Sequence, residues 1–326
     1  MSEFNYIIAG GEGFYKIAYG DLNRLENVRY FQNYVDGINS PITRISAKIN
    51  FNLKINRFIK TPLKYLVFRR IYPAKFPIEK PLCFIFFGAQ FAVINTGFIE
   101  YLKSKYRTAR FVLYMQDIVG SLPYYDIENY KERFDLVLSY DKNDCDKYNL
   151  RYYPTPFSYI NPELFVRREP IDVYFCGFAK NRYPEIFKVY DICKKQDLKC
   201  KFFISGVSVA DRIESDEIIY DRRISYLDNL SYVNASKCVL EIMQRNAVGF
   251  TPRVWEALFY SKHLLTNNPH ISECDCYDIN QFHSIDEADN IKSWIYSEID
   301  HKRDLIDAKS PVHLIDHIES ILKELR

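Results

Sequence analysis

Short apolar runs separated by longer amphipathic stretches recur along this chain, and that alternation most constrains its fold. NYIIA (5–9), CFIFF (83–87), FVLYM (111–115) and DLVLSY (135–140) each lead into polar or glycine-containing residues and then a helical pattern. Such a rhythm predicts βα units and parallel sheets. RYYPTPFSYINPELFVRREP then interrupts it, with four prolines between Pro154 and Pro170 that suit an interdomain linker. The rhythm resumes at DVYFCGF (172–178), KCKFFIS (199–205), EIIYD (217–221), CVLEIM (238–243) and HLLTN (263–267). Helices are predicted near 183–196, 225–236, 251–261 and 288–298. The C-terminal PVHLIDHIESILKELR sets Leu314, Ile315, Ile318, Ile321, Leu322 and Leu325 on one helical face. A length of 326 residues is about twice a common domain. The expectation is α/β: a first domain over 1–165, a second over 166–310, and a closing helix over 311–326 that packs back on the first.

Composition narrows the class. Hydrophobic residues at 48%, charged residues at 26% and only 11 glycines describe a folded globular chain rather than a disordered one. The 44 basic and 42 acidic residues give no global pull towards nucleic acid, but the charge is uneven. No acidic residue occurs between Asp36 and Glu79, where Arg44, Lys48, Lys54, Arg57, Lys60, Lys64, Arg69, Arg70 and Lys75 all fall. The eight cysteines are scattered, several inside strand-like runs, and read as small core residues of a reduced, cytoplasmic protein. Cys274 and Cys276 alone are close together, a weak metal signal. The N-terminus lacks the pattern of a secretory leader, and the apolar stretch from Leu82 is broken by Gly88, Gln90 and Asn95, too soon for a membrane span.

Doubly wound sheets gather ligands at the carboxyl ends of their strands. In the first half those positions hold Gly10, Gly11, Glu12 and Gly13, then Gly88 and Gln90, Gln116 and Asp117, and Asp141. GGEG fails the dinucleotide fingerprint, because the third glycine counted from Gly11 falls on Lys16. It suits either a backbone turn that a ligand approaches closely or a tight βα connection. In the second half, Gly177 ends a strand, and Lys180 and Arg182 stand at the next helix start. An anion or diphosphate site needs cations and backbone N–H groups together in this way, although solvated side chains at a helix end fit as well. In QRNAVGFTPRVWEALFYSKHLLTNN, Thr251 suits an N-cap and Pro252 the first helical position. Glu256 sits between Trp255 and Ala257, and a carboxylate buried there needs a partner.

Gln244, Gly249, Thr251, Arg253 and the WEAL of 255–258, followed by KHLLTNN, resemble the donor-binding segment of GT-B glycosyltransferases, especially bacterial lipopolysaccharide and capsule enzymes. The resemblance is clearest from Asp172 to Asn268, and the N-terminal half matches in architecture alone. It implies two Rossmann-like domains facing across a cleft, and transfer of a hexose-type sugar from a nucleotide-sugar donor to a glycan or lipid-linked glycan acceptor. Carried over by position, Glu256 binds the ribose, Gly249, Phe250 and Thr251 form the phosphate turn, and Gln244 and Arg253 complete the donor segment. Many retaining members carry a second glutamate eight residues earlier; that position is Val248, which leans towards inversion. An inverting transferase needs a general base. Asp117 is the leading candidate, with Glu12 and Asp126 as alternatives, and a cap is the competing role for Asp117.

No metal or other cofactor is expected. The DCD of 144–146 looks like a helix start rather than the strand end of a metal-dependent fold, and His313 and His317 read as a solvated face. INRFIKTPLKYLVFRRIYPAKF interleaves cations with aromatic residues, which fits anionic lipid headgroups, a nucleic-acid face or a plain solvated surface. The reading adopted is peripheral membrane association through Arg57, Lys60, Lys64, Arg69 and Arg70, with no nucleic-acid partner. A nucleotide-sugar epimerase of the same architecture and a catalytically silent nucleotide-sugar-binding or assembly protein remain the alternatives.

Overall fold

The computed structural model describes the chain except residues 1, 53–54, 56–63, 120–125, 245–246, 300–303 and 326. The chain divides into two α/β units, Met1–Ser158 with Ser310–Arg326, and Tyr159–Lys309. The first contains β1 (Asn5–Ala9), β2 (Val28–Phe31), β3 (Leu82–Phe87), β4 (Arg110–Met115), β5 (Leu136–Ser139) and β6 (Arg151–Tyr152), ordered β2-β1-β3-β4-β5-β6. The second contains β7 (Ile171–Phe178), β8 (Cys200–Ser205), β9 (Ile218–Tyr220), β10 (Ser236–Glu241), β11 (His263–Thr266) and β12 (Phe282–Ser284), ordered β12-β11-β10-β7-β8-β9. Every pairing in both sheets is parallel.

Central parallel strands are covered on both faces, so they read as unbroken apolar runs. Tyr6, Ile8, Phe86 and Leu113 in unit 1 and Val173, Phe202 and Leu240 in unit 2 are all at most 1% exposed. The strands that sequence reasoning missed are β2, β6 and β12, short and at or near the sheet edges, where half-buried residues such as Arg29 and Tyr30 blur the pattern. Helices meet the expected positions closely: Tyr183–Lys195, Tyr226–Ala235, Pro252–Phe259 and Ile291–Ile295. Ile45, Ala47, Ile49, Phe51, Leu53 and Ile55 alternate in sequence as a strand would, yet Ile45, Ala47 and Ile49 lie in a helix, and Leu53 lies outside the described residues. Ser40 accepts from Thr43 N at 3.3 Å, Pro41 takes the first helical position, and a helix runs Pro41–Asn50.

The closing helix, Val312–Glu324, buries Leu314, Ile315, Ile318 and Leu322, while Leu325 is exposed. It is anchored within unit 1 by Glu319, whose carboxylate accepts from Ser2 Oγ at 2.5 Å, Tyr6 Oη at 2.8 Å and Glu3 N at 3.0 Å. Burial opposes the charged form of Glu319. The hydrogen bonds from Ser2, Glu3, Tyr6 and Lys323 outweigh it and hold the carboxyl down at about 2. A carboxyl lowered on folding contributes stability that is complete above its unfolded value and lost as pH falls through the folded one. Glu319→Gln is therefore expected to cost about 3 kcal/mol at pH 7. In urea denaturation the gap from wild type should shrink from about pH 4.5 towards 2; a gap independent of pH would contradict this account.

Candidate functional site

Unit 2 has the strand order of a dinucleotide-binding sheet. Numbered within the unit it runs 6-5-4-1-2-3, so the connections reverse direction between β7 and β10. Ligands of such sheets bind at this switch point, outside the strands' carboxyl ends. Residues from β7, β10 and the loops that follow them converge there.

Arg253 lies at the second position of the Pro252–Phe259 helix, with its Nη2 donating to the Cys176 carbonyl at the end of β7, 3.0 Å away. Its Nη1 pairs with Glu256, whose side chain has no exposed surface. Tyr226 Oη donates to the same carboxylate at 2.6 Å and Asn229 Nδ2 at 3.2 Å. The partner that a buried Glu256 required is thus an arginine one turn earlier and two groups on the Tyr226–Ala235 helix. Burial works against the charge of Arg253, and Glu256 more than restores it, raising the guanidinium's pKa. Tyr226 is driven up by burial and by that same carboxylate. Since Glu256 is wholly enclosed, it reaches the switch point through Arg253.

A second carboxylate, Glu241, ends β10 at 2% exposure. Thr251 Oγ1 donates to one of its oxygens, and Thr266 Oγ1 donates to the other at 2.5 Å. Burial raises its pKa against the hydrogen bonds from Thr251 and Thr266 and the charges of Arg253 and Arg182. Thr251 also accepts from Arg253 N at 3.2 Å, capping the helix. The loop before it is pinned by β11's exit. Asn268 Nδ2 donates to the Gly249 carbonyl at 3.3 Å, and Asn267 Oδ1 accepts from Met243 N at 2.6 Å. Phe250 is buried and meets Trp255 edge-on, so it supports the turn rather than lining it.

At the solvent side, Lys180 is exposed and its Nζ donates to Gln244 Oε1 at 2.9 Å. Arg182 is half-buried; its Nε donates to the Phe178 carbonyl at 3.0 Å and its Nη1 to the Ile242 carbonyl, so it bridges the two strand ends. Burial and the neighbouring Arg253 lower its pKa, against the pull of Glu241 and Glu185. A Cβ at Gly177 would come 3.1 Å from the Phe175 ring and 3.6 Å from Arg182 Nη2, so a glycine keeps that approach open. Gly177, Lys180, Arg182, Gln244, Gly249, Thr251 and Arg253 therefore gather at one switch point. Glu241, Thr266, Asn267, Asn268, Tyr226 and Asn229 were missed; the charge of Glu241 inside the apolar run CVLEIM was the signal available.

Unit 1 assembles its own cluster at the carboxyl ends of β1, β3 and β4. A Cβ on Gly10 would meet the Tyr30 ring at 2.2 Å, and Tyr30 Oη accepts from Gly11 N at 2.9 Å. Gly13 takes φ +61°, and Gln90 Nε2 donates to the Gly10 carbonyl. Glu12 accepts from Asn33 Nδ2 at 3.2 Å. Asp117 is exposed and close enough to Tyr15 to join burial in raising that phenol's pKa. Asp126 is the N-cap of the Ile127–Lys131 helix, accepting from Asn129 N at 3.4 Å.

Of the minor motifs, Asp144 is buried and accepts from Val119 N at 2.7 Å within the Lys142–Tyr148 helix. His313 is exposed, but His317 is half-buried against Tyr153, with ring centroids 4.8 Å apart. Cys274, Asp275 and Cys276 bring potential metal ligands within 4.8 Å of one another, yet Lys309 Nζ already holds both Asp275 oxygens at 2.7 and 2.9 Å.

No family model matches the chain, and no curated protein matches it. Solved structures of similar fold exist. A UDP-forming α,α-trehalose-phosphate synthase from Burkholderia xenovorans aligns at 10% identity over 100% of this chain and 99% of that one, with a TM-score of 0.49. An α-glucosyltransferase in complex with UDP-glucose and DNA aligns at 11% identity over 97% and 90%, with a TM-score of 0.46. The UDP-GlcNAc 2-epimerase of Methanocaldococcus jannaschii aligns at 11% identity over 96% and 99%, with a TM-score of 0.44. At these values the fold assignment rests on the two sheets themselves.

Removing one partner of a buried ion pair leaves the other charge uncompensated, at about 3–5 kcal/mol. Arg253→Met is expected to lose that much in urea denaturation, and Arg253→Met with Glu256→Leu to recover most of it. Equal losses for the single and double variants would show that the pair is not coupled.

Proposed function

We propose that the chain is a GT-B-type glycosyltransferase that binds the diphosphate of a nucleotide-sugar donor at the β7/β10 switch point of unit 2. The observation that supports this most is Arg182, close to Arg253 and Glu241 at the helix start that Thr251 caps, with Lys180 beside it on Gln244. A helix N-terminus and fixed cations favour an anion, and they favour it more as charge develops on a departing nucleoside diphosphate. Arg253 belongs to the same surface, with a side chain 21% exposed and a charge secured by Glu256. Glu256 then serves as the residue that positions Arg253 instead of touching the ribose itself.

Chemistry at the sugar needs a base for the acceptor hydroxyl. Asp117, exposed at the carboxyl end of β4, is the proposed base, with Glu12 as the alternative. In an inverting displacement the base takes the hydroxyl proton while the oxygen bonds to the anomeric carbon. The bond to the diphosphate breaks on the opposite face, and the electron pair leaves with the diphosphate. The proposal includes a metal-independent reaction and a surface-polysaccharide or lipopolysaccharide acceptor, both from the family resemblance.

Thermal shift against a panel of UDP-, GDP-, ADP- and dTDP-sugars tests the donor site, because a ligand of the folded state raises its melting temperature. One donor class is expected to do so. Lys180→Ala with Arg182→Ala should weaken that ligand by about 10²- to 10⁴-fold, on the basis of roughly 1.5–3 kcal/mol for each of two charged hydrogen bonds. Asp117→Asn should lower turnover by about 10²- to 10⁴-fold while leaving donor affinity in place. Full turnover would remove Asp117 from the base role, and an epimerised sugar formed without acceptor would reassign the enzyme class.

A further inference from the structure

The Pro41–Asn50 helix of unit 1 is amphipathic in the reverse sense to a core helix. Ile42, Ile45 and Ile49, spaced to share one face, are 78%, 60% and 41% exposed, while Ala47 and Asn50 face inward at 0% and 6%. Exposing an apolar stripe to water is costly unless something covers it. Tyr65 and Leu66, on the neighbouring Lys64–Phe68 helix, add 56% and 49% exposed side chains. Arg70 ties the two together, donating from Nη1 to Thr43 Oγ1 at 3.1 Å. The surface around the stripe is cationic: Arg44, Lys48, Arg69 and Arg70 are exposed and Lys64 is half-buried, while Arg57 and Lys60 lie outside the described residues. Arg69 also borders a cavity of about 520 Å³ that Arg29, Lys75 and Lys105 share. Glu100, the carboxylate near Lys64 across Gly97, is paired with Arg133 at 3.3 Å.

From this arrangement we infer that the Pro41–Asn50 helix lies in the surface of a bilayer containing anionic lipid, with Ile42, Ile45 and Ile49 in the acyl boundary and the flanking cations among the headgroups. An isoleucine stripe edged by Lys and Arg is how an interfacial helix gains both apolar burial and attraction to anionic headgroups. Charge decides against a second copy of the chain, since a two-fold interface would set these cations against themselves. A nucleic acid would meet the cations but leave the isoleucines uncovered. Among the described residues no helix is long and apolar enough to cross a membrane, and contact in the plane of the surface needs none. The inference stands whether or not unit 2 binds a nucleotide sugar.

The test is co-sedimentation of the full chain with vesicles of mixed phosphatidylglycerol and phosphatidylcholine, and with phosphatidylcholine alone. Wild type is expected to pellet with the anionic vesicles, more weakly at high salt, and less with the neutral ones. Ile42→Glu with Ile45→Glu should lower binding by on the order of tenfold or more, and Arg44→Glu with Arg69→Glu by a similar factor. These side chains are exposed, so circular dichroism melts should match wild type. A wild type that stays in the supernatant, or isoleucine variants that pellet equally well, would overturn the inference. A stable dimer in light scattering that Ile45→Glu dissociates would assign the stripe to self-association, and would overturn it too.

Discussion

Unit 2 is organised around an ion pair whose carboxylate is fully enclosed and whose guanidinium keeps a partly exposed edge. Arg253 and Glu256 sit a turn apart on the short Pro252–Phe259 helix, and Glu256 has no exposed surface. Withdrawing both charges from water is expensive, so the arrangement persists only where the remaining hydrogen-bonding capacity is met. Here it is met on three sides. Arg253 reaches the last turn of β7 through the Cys176 carbonyl, and Tyr226 and Asn229 hold Glu256 from a helix that precedes β10. The pair therefore locks a helix N-terminus onto the end of the central strand and fixes where that N-terminus points.

The second buried carboxylate has the same logic with neutral partners. Glu241 receives hydroxyl hydrogen bonds from Thr251, ahead of the helix, and from Thr266, on the adjacent strand. Thr251 thus caps the helix and satisfies Glu241 at once, which ties cap geometry to strand pairing. With Glu256 committed to Arg253 and Glu241 enclosed by threonines, Lys180 and Arg182 are the groups left at the solvent side.

Much of the fold was legible in the linear pattern. The central strands announced themselves because burial on both faces demands unbroken apolar runs. β2 did not, since VRYF is half-buried and carries a charge. Thr251 and Pro252 marked the start of their helix because capping is a local property, set within about four residues. From Ile45 to Ile55 the residues alternate as a strand would, while those that follow suit a helix. Ser40 and Pro41, outside the alternating run, decided the matter by starting a helix.

By itself, the sequence determined the α/β class, the positions of most elements and the convergence of polar residues at strand ends, because each follows from short-range periodicity and capping. It also marked Glu256 as a carboxylate that required a partner. Tertiary structure alone decided which partner. Tyr226 and Asn229 lie about thirty residues upstream, and only the crossover that places β10 beside β7 brings them to the carboxylate. The direction of the Ile42, Ile45 and Ile49 stripe was settled in the same way. Periodicity groups residues on a face, but whether that face meets the core or the solvent depends on what the rest of the chain packs against its opposite side.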